Sequence, residues 1–150
     1  MAVRVQREDF DVGAETAKLI DGHPDIGAIV TFTGRVRGKD DGRQIAALTL
    51  EHYPDMTEAE MARIEAEATA RWPLQASLVI HRVGELKAGD NIVLVIAASE
   101  HRQAAFEAAG FLMDYLKTRA PFWKKETTAA GDSAWVAARE EDESAAKRWR

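Results

Sequence analysis

The chain has 150 residues, of which 46% are hydrophobic and 30% charged, with a formal net charge of −5. That length supports one domain with a real core. The acidic balance argues against a general nucleic-acid binder, whose affinity comes largely from phosphate neutralisation, but it leaves room for a local basic pocket. There is no cysteine, which excludes disulfides, thiolate metal sites, a cysteine nucleophile and any sulfur carried on this chain as a persulfide. No apolar run is long enough to span a bilayer, and the opening "MAVRVQREDF" lacks a signal-peptide core, so a cytoplasmic protein is expected.

In chain order, "VRVQ" reads as a first strand and "DVGAETAKLID" as a modest helix ended by Gly22 and Pro24. "IGAIVTFTG", Ile26 to Gly34, is β-branched and apolar and reads as a buried strand. The polar "RVRGKDDGRQ" that follows reads as a mobile loop. "IAALTLEHY" is a strand. "DMTEAEMARIEAEATARW" is a helix with a capping box at Thr57 and Glu60, and Met61, Ile64, Ala68 and Trp72 form its buried face. Pro73 stops it. "LQASLVIHRVGEL" is one strand, "KAGD" a turn, and "NIVLVIAAS" a central strand covered on both faces. Ser99 caps a helix over His101 to Arg119 whose core face is Phe106, Ala109, Met113 and Leu116. Pro121 stops that helix, "FWKKETT" and "SAWVAARE" form a terminal hairpin, and "EDESAAKRWR" is a charged, loosely ordered tail. The mixed element order gives an α+β class, with one domain over 1–140 and the tail over 141–150.

Four stretches carry chemistry. In "TGRVRG", Arg35 and Arg37 follow a strand and open a glycine-containing loop, which suits anion capture or a merely solvated loop. In "SEHRQ", His101 and Arg102 stand at a helix start, where free N–H groups favour an anion; an ordinary exposed histidine is the plainer reading. In "DYLKTRAPFWKKE", Lys117, Arg119, Lys124 and Lys125 crowd around Pro121, Phe122 and Trp123. A solvated helix end explains the charges alone, whereas a nucleic-acid patch or a pocket for an anionic small molecule explains charges and rings together. If "FWKKE" is extended, Phe122, Lys124 and Glu126 share one face and Trp123 and Lys125 the other, and the turn at Pro121 lets Lys117 and Lys124 converge. In "LEHYPDMT", Glu51 and His52 suggest a metal site or an acid–base pair, but no third ligand is evident. His23 and His81 read as structural or surface histidines, and no metal or cofactor is expected.

Taken together and in this order, "VTFTGRVRG", "LTLEHYPDMT", "IHRVGELKAGD", "SEHRQAAFEAAGFLMDYLKTRAPFWKKE" and "GDSAWVAARE" resemble the MoaE family, the catalytic large subunits of molybdopterin synthases. The resemblance implies an α/β hammerhead-type fold with an additional α+β subdomain. It implies pairing as a dimer, each subunit binding a small ubiquitin-like sulfur carrier of the MoaD family. The implied reaction transfers sulfur from the carrier's C-terminal thiocarboxylate to precursor Z, a cyclic pyranopterin monophosphate, forming the dithiolene of molybdopterin. Carried over by position, the resemblance makes Lys117 and Lys124 catalytic and assigns substrate binding to Arg35, Val36, Arg37, His101, Arg102, Lys125, Glu126 and Arg139. Lys125 stands where an arginine is common, which keeps the charge but not the bidentate geometry. The missing cysteine agrees with sulfur arriving on the partner. Of the two large rings, Trp123 is expected in the core. The rival readings are a non-enzymatic docking module for a ubiquitin-like tail, and a single-strand nucleic-acid binder using the rings as stacking platforms, which the acidic balance disfavours. Neither nucleic acid nor membrane is expected as a partner.

Overall fold

The structure, a computed structural model, describes residues 2–136 and 140–150. Within them the chain order is β1 (Ala2–Gln6), α1 (Val12–Ile20), β2 (Ala28–Arg35), β3 (Lys39–Asp40), β4 (Arg43–His52), α2 (Met56–Arg71), β5 (Leu74–Arg82), β6 (Gly84–Lys87), β7 (Asn91–Ser99), α3 (Arg102–Arg119), β8 (Phe122–Thr128), β9 (Ser133–Trp135) and α4 (Glu140–Lys147). The class is α+β, as the mixed element order predicts.

Four strands form one sheet in the order β1-β5-β7-β2, with β1 parallel to β5 and the other pairs antiparallel. Side chains alternate across a strand, and here the alternation separates two cores. Leu78, Ile80, Leu94 and Ile96 pack with Phe10 against α1. Val79, Val93, Val95 and Ala97 pack with Met61, Ile64 and Phe111 beneath α2 and α3. β7 is therefore covered on both faces, as its unbroken apolar run predicts. The second sheet runs β3-β4-β8-β9, with β6 also paired to β4, and has its own small core of Val36, Leu48, Leu50 and Leu86.

Several sequence expectations change. β2 is not buried: it is the edge of the first sheet, and Ile29 and Phe32 are 39% and 42% exposed. It begins after Gly27, where a Cβ would lie 2.3 Å from the Glu100 carbonyl oxygen, so only glycine fits under that crossing. The segment 38–44 is not simply a mobile loop. Asp41 and Gly42, at φ 50° and 79°, form the two-residue turn of the β3–β4 hairpin, and Asp-Gly is the preferred chemistry for that turn. The strand expected over 74–86 breaks at Val83, since Gly84 at φ 94° turns the chain from β5 into β6. α2 starts after Asp55, whose N–H donates to the Glu58 carboxylate at 2.7 Å, rather than at Thr57 and Glu60.

The buried face of α3 includes Ala109 and Leu116 of the expected stripe, with Met113 packed against the core, but not Phe106. Ala105, Ala108, Leu112 and Tyr115 are buried, whereas Phe106 is 63% exposed. Phe111 is fully buried on the same side of the helix, with the alanines beside it. Ser99 does not cap this helix; its hydroxyl donates to the Pro73 carbonyl at 2.9 Å.

The charged C-terminal segment is folded. Ala146 of α4 is buried, and Trp149 packs edge-on against Trp72 and Phe111 at 5.4 and 5.8 Å between centroids. Its indole N–H donates to the Asp114 carboxylate at 2.6 Å, which also accepts from Arg148 at 2.9 Å. The sequence pattern conceals this because the segment's apolar anchors are few and separated by charges that remain in solvent. Trp149→Ala is expected to remove about 3 kcal/mol of stability, the low end of the range for losing a large aromatic, measured by denaturant unfolding. An unchanged midpoint would show that the segment is not anchored this way.

Candidate active site

α3 ends at Arg119, Ala120 is extended, and Pro121 cannot continue the helix, so the chain reverses into β8. The reversal is pinned from below. Thr57, fully buried in the first turn of α2, donates its hydroxyl to the Pro121 carbonyl at 3.1 Å and accepts from the Tyr53 N–H at 3.1 Å. This brings the last turn of α3 against the first residues of β8, beside the open end of β2.

Two adjoining cavities of about 120 and 130 Å3 lie there, and Arg35, Ile92, Lys117 and Lys124 line both. Lys117 and Lys124 therefore converge, as the turn at Pro121 predicts. The extended reading of "FWKKE" also holds. Phe122 and Lys124 face the second cavity, and Lys124 and Glu126 face the first. Lys125 points the other way, its ammonium 5.7 Å from the Trp135 ring centre, and lines neither cavity. Trp123 is not core: it is 41% exposed on that outer face, edge-on to Tyr53 at 4.5 Å.

The first cavity is polar. Arg35, Arg37, Lys39, Lys117 and Lys124 supply five cations against the carboxylates of Asp40 and Glu126. Arg37 pairs with Asp40 at 3.7 Å and Arg43 with Glu126 at 3.6 Å. This local excess of positive charge, in a chain of net charge −5, is the arrangement that concentrates small anions. Arg35 follows a register shift at Gly34 and bends its guanidinium onto the Gly89 carbonyl, donating at 2.8 and 3.2 Å. Val36 lines the same cavity and is held firmly: its side chain is buried, its N–H donates to Asp90, and its carbonyl accepts from Gly89.

The second cavity is more apolar, lined by Phe32, Met113 and Phe122 among others, and it holds His81. The imidazole stacks on Phe122 with centroids 3.7 Å apart and planes at 17°. Burial, chiefly, with the nearby Lys124 and Lys117 cations, pushes its pKa from 6.5 down to about 3. His81 is therefore a neutral group of this site. Its place in an apolar strand gives no hint of the lysines it meets, because they arrive from elements 36 and 43 residues later, at 117 and 124 against 81. Lys39 was missed for a related reason, since it comes to the cavity only through the β3–β4 hairpin.

Other expected residues lie elsewhere. His101 and Arg102 stand at the opposite end of α3 from Lys117, about 22 Å along the helix at 1.5 Å per residue; within one chain they do not share its cavity. Arg139 falls outside the described residues. His52 pairs with Glu58 at 3.4 Å rather than with Glu51. Among the described residues no group of three or more histidine or acidic side chains is placed to hold a metal ion.

Fold and site define an α+β protein with a cation-lined cleft. The chain belongs to the MoaE family: the family's sequence model, described as "MoaE protein", matches residues 5–119. The molybdopterin synthase catalytic subunit of Mesorhizobium japonicum is 61% identical over 149 residues, covering 99% of this chain and 92% of that protein. The solved molybdopterin biosynthesis MoaE protein of Burkholderia ambifaria has a TM-score of 0.85 at 49% identity, with 99% and 98% coverage. The crystal structure of molybdopterin synthase from Staphylococcus aureus has a TM-score of 0.81 at 32% identity, covering 89% of this chain and 95% of that one.

Two outcomes follow from this geometry. Thr57→Val keeps the shape of the side chain but leaves the Tyr53 N–H and Pro121 carbonyl without that partner, and should cost about 1–3 kcal/mol in denaturant unfolding. A neutral result would mean that the hydroxyl does not pin the reversal. The second concerns pH. The folded His81 value lies below the unfolded one, so the unfolded chain binds more protons between about pH 6.5 and 3. The stability from keeping His81 neutral is complete above pH 6.5 and falls as pH drops towards 3. Between pH 7.5 and pH 5 the loss should be about 2 kcal/mol. His81→Phe should flatten that part of the curve; parallel curves for the two proteins would contradict the burial of a neutral ring.

Proposed function

We propose that this chain is the catalytic subunit of a molybdopterin synthase. It takes sulfur from the C-terminal thiocarboxylate of a small ubiquitin-like carrier and adds it to precursor Z, so that two transfers build the dithiolene of molybdopterin. The observation that carries this reading is the convergence of Lys117 and Lys124, with Arg35, on two joined cavities. The relatives support it through the activity their names state.

Both reactants are anions, and their approach is opposed unless fixed cations offset the repulsion. The polar cavity, with Arg35, Arg37 and Lys39 at its mouth, suits the cyclic phosphate. Lys117, in the last turn of α3, holds or activates the thiocarboxylate carbon. Lys124 assists proton transfer or phosphate binding. Glu126 holds Arg43 and faces the same cavity, and so shapes the cation set rather than binding an anion itself. The chain has no cysteine to carry sulfur, so the sulfur comes on the carrier.

The same reading includes assembly and place. The two-sheet arrangement is taken as the hammerhead-type fold of the family with its additional α+β subdomain. Residues 1–140 form its catalytic domain, and the charged segment 141–150 closes onto α3. Two copies pair, and each binds one carrier of the MoaD family. In such a dimer His101 and Arg102 act on phosphate in the partner copy's cavity, since α3 carries them away from their own. The reaction runs in the cytoplasm; none of the described helices is long and apolar enough to cross a membrane.

Single-turnover sulfur transfer from thiocarboxylated carrier to precursor Z tests the assignment. Lys117→Ala should slow it by at least about 100-fold, a typical scale for losing an acid–base or electrostatic catalyst. Lys117→Arg should not rescue, because a guanidinium neither attacks nor accepts a proton. Lys124→Ala should also be severe, whereas Lys125→Ala, whose ammonium lies over Trp135, should be mild. Carrier binding should persist in all four, and sulfide without carrier should give no product. Near-normal transfer by folded Lys117→Ala would leave only a docking module for the carrier tail.

A further inference from the structure

The imidazole of His81 makes one hydrogen bond among the described residues, between Nδ1 and the Arg82 carbonyl at 2.8 Å. A carbonyl only accepts, so Nδ1 carries the proton and the neutral ring keeps Nε2 as a lone pair. The ring is held in place by its stack on Phe122, and Phe122 stands two residues before Lys124 on the same face of β8. The charged and titratable groups acting on His81 come from three elements: Lys124 on β8, Lys117 on α3 and His52 on β4. Arg35 of β2 lines the same cavity. No carboxylate lines that cavity, and the imidazole is its one side-chain acceptor among the described residues; Lys124 also borders the first cavity, where Asp40, Glu126, Arg37 and Lys39 face it.

We propose that His81 is a positioning residue for the sulfur transfer proposed above: its Nε2 accepts a hydrogen bond from the Lys124 ammonium and fixes where that charge sits as the two anions meet. A carboxylate in this position would orient the lysine as well, but it would cancel the lysine's charge and repel both reactants. A neutral imidazole orients the ammonium and leaves its charge intact. The low basicity of the buried ring serves this role, since the ring does not take up a proton of its own and turn from acceptor to repelling cation. The stack on Phe122 adds a register: a shift of β8 moves the lysine and the ring's partner together.

Three substitutions separate this role from packing, each made in the full chain and assayed with thiocarboxylated carrier and precursor Z. His81→Phe keeps an aromatic ring on Phe122 and removes Nε2. His81→Gln offers an amide oxygen near the place of Nε2, and His81→Asn offers one near Nδ1 instead. The expected single-turnover rate falls by about 10-fold or more in His81→Phe, the scale of one hydrogen bond to a charged group. Carrier binding should stay at the wild-type level, and His81→Gln should recover more rate than His81→Asn. The limb of the pH–rate profile that disappears in Lys124→Ala should move to lower pH in His81→Phe, since an ammonium without its acceptor is less stable in that cavity, and should return towards wild type in His81→Gln. A wild-type rate in folded His81→Phe overturns the proposal, and so does a slow His81→Phe with an unmoved pH profile. If the Phe variant does not fold, the other pair decides: Asn equal to or better than Gln overturns it. Failure of the wild-type chain to transfer sulfur at all would instead overturn the reaction itself.

Discussion

The cationic cleft depends on one chain reversal, at Ala120 and Pro121, and on the hydroxyl that holds it. Lys117 belongs to a helix packed on the first sheet, and Lys124 to a strand of the second. Nothing local brings a helix terminus and a strand start to one cavity. Proline ends the helix because it lacks an N–H and restricts the residue before it, and the Thr57 bond to the Pro121 carbonyl then sets where the strand departs. Thr57 is fully buried, and a bond made there is not weakened by competing water. The two lysines thus inherit the rigidity of three elements, α2, α3 and β8, although each is on a flexible stem.

That arrangement explains why an acidic protein can hold so concentrated a basic site. Cations brought together repel one another, and here they stand on elements held by apolar cores that do not include them. The first sheet has an apolar core on each face, with Val79, Val95, Ile80 and Ile96 all but inaccessible to solvent. Burying such side chains contributes roughly 1.5–3 kcal/mol each. The site sits at the seam where this core ends and the smaller core around Leu48 and Leu50 begins. Ile92 packs against both cores and lines both cavities. A seam between two packed layers can leave space without opening a void in either one.

Much of this was legible before folding, and the unread part has physical reasons. The unbroken apolar run of β7 announced a strand covered twice, and the alternation in "FWKKE" announced which side chains share a face. What remained hidden depended on partners far along the chain. Helical spacing places Ala109 and Leu116 in the core correctly but also Phe106, which lies at the exposed margin, while the buried face extends instead to Ala105, Ala108 and Phe111. Ile26 to Gly34 looked buried because β-branched residues suit any strand, whether edge or centre. The hairpin turn at Asp41 and Gly42 was in plain view as an Asp-Gly pair, hidden among polar residues that also suit a loop. His81 could not be placed in the site, because the lysines that face it come from other elements.

The separation of His101 and Arg102 from the lysines bears on how the molecule is assembled. An 18-residue helix is rigid on this scale, so its two ends cannot serve one small reactant. Either the cations at its start have no part in the chemistry, or they serve a cavity that belongs to another copy. The second alternative gives a reason for an exposed His101 beside an exposed Phe106: a helix start that meets a second subunit keeps its polar and apolar groups uncovered until the copies pair. It would also couple assembly to chemistry, since a monomer keeps Lys117 and Lys124 with Arg35, Arg37 and Lys39 but brings neither His101 nor Arg102 to that cavity. On that alternative the reversal at Pro121 brings the two lysines together within each subunit, and pairing would add the helix start of the other copy.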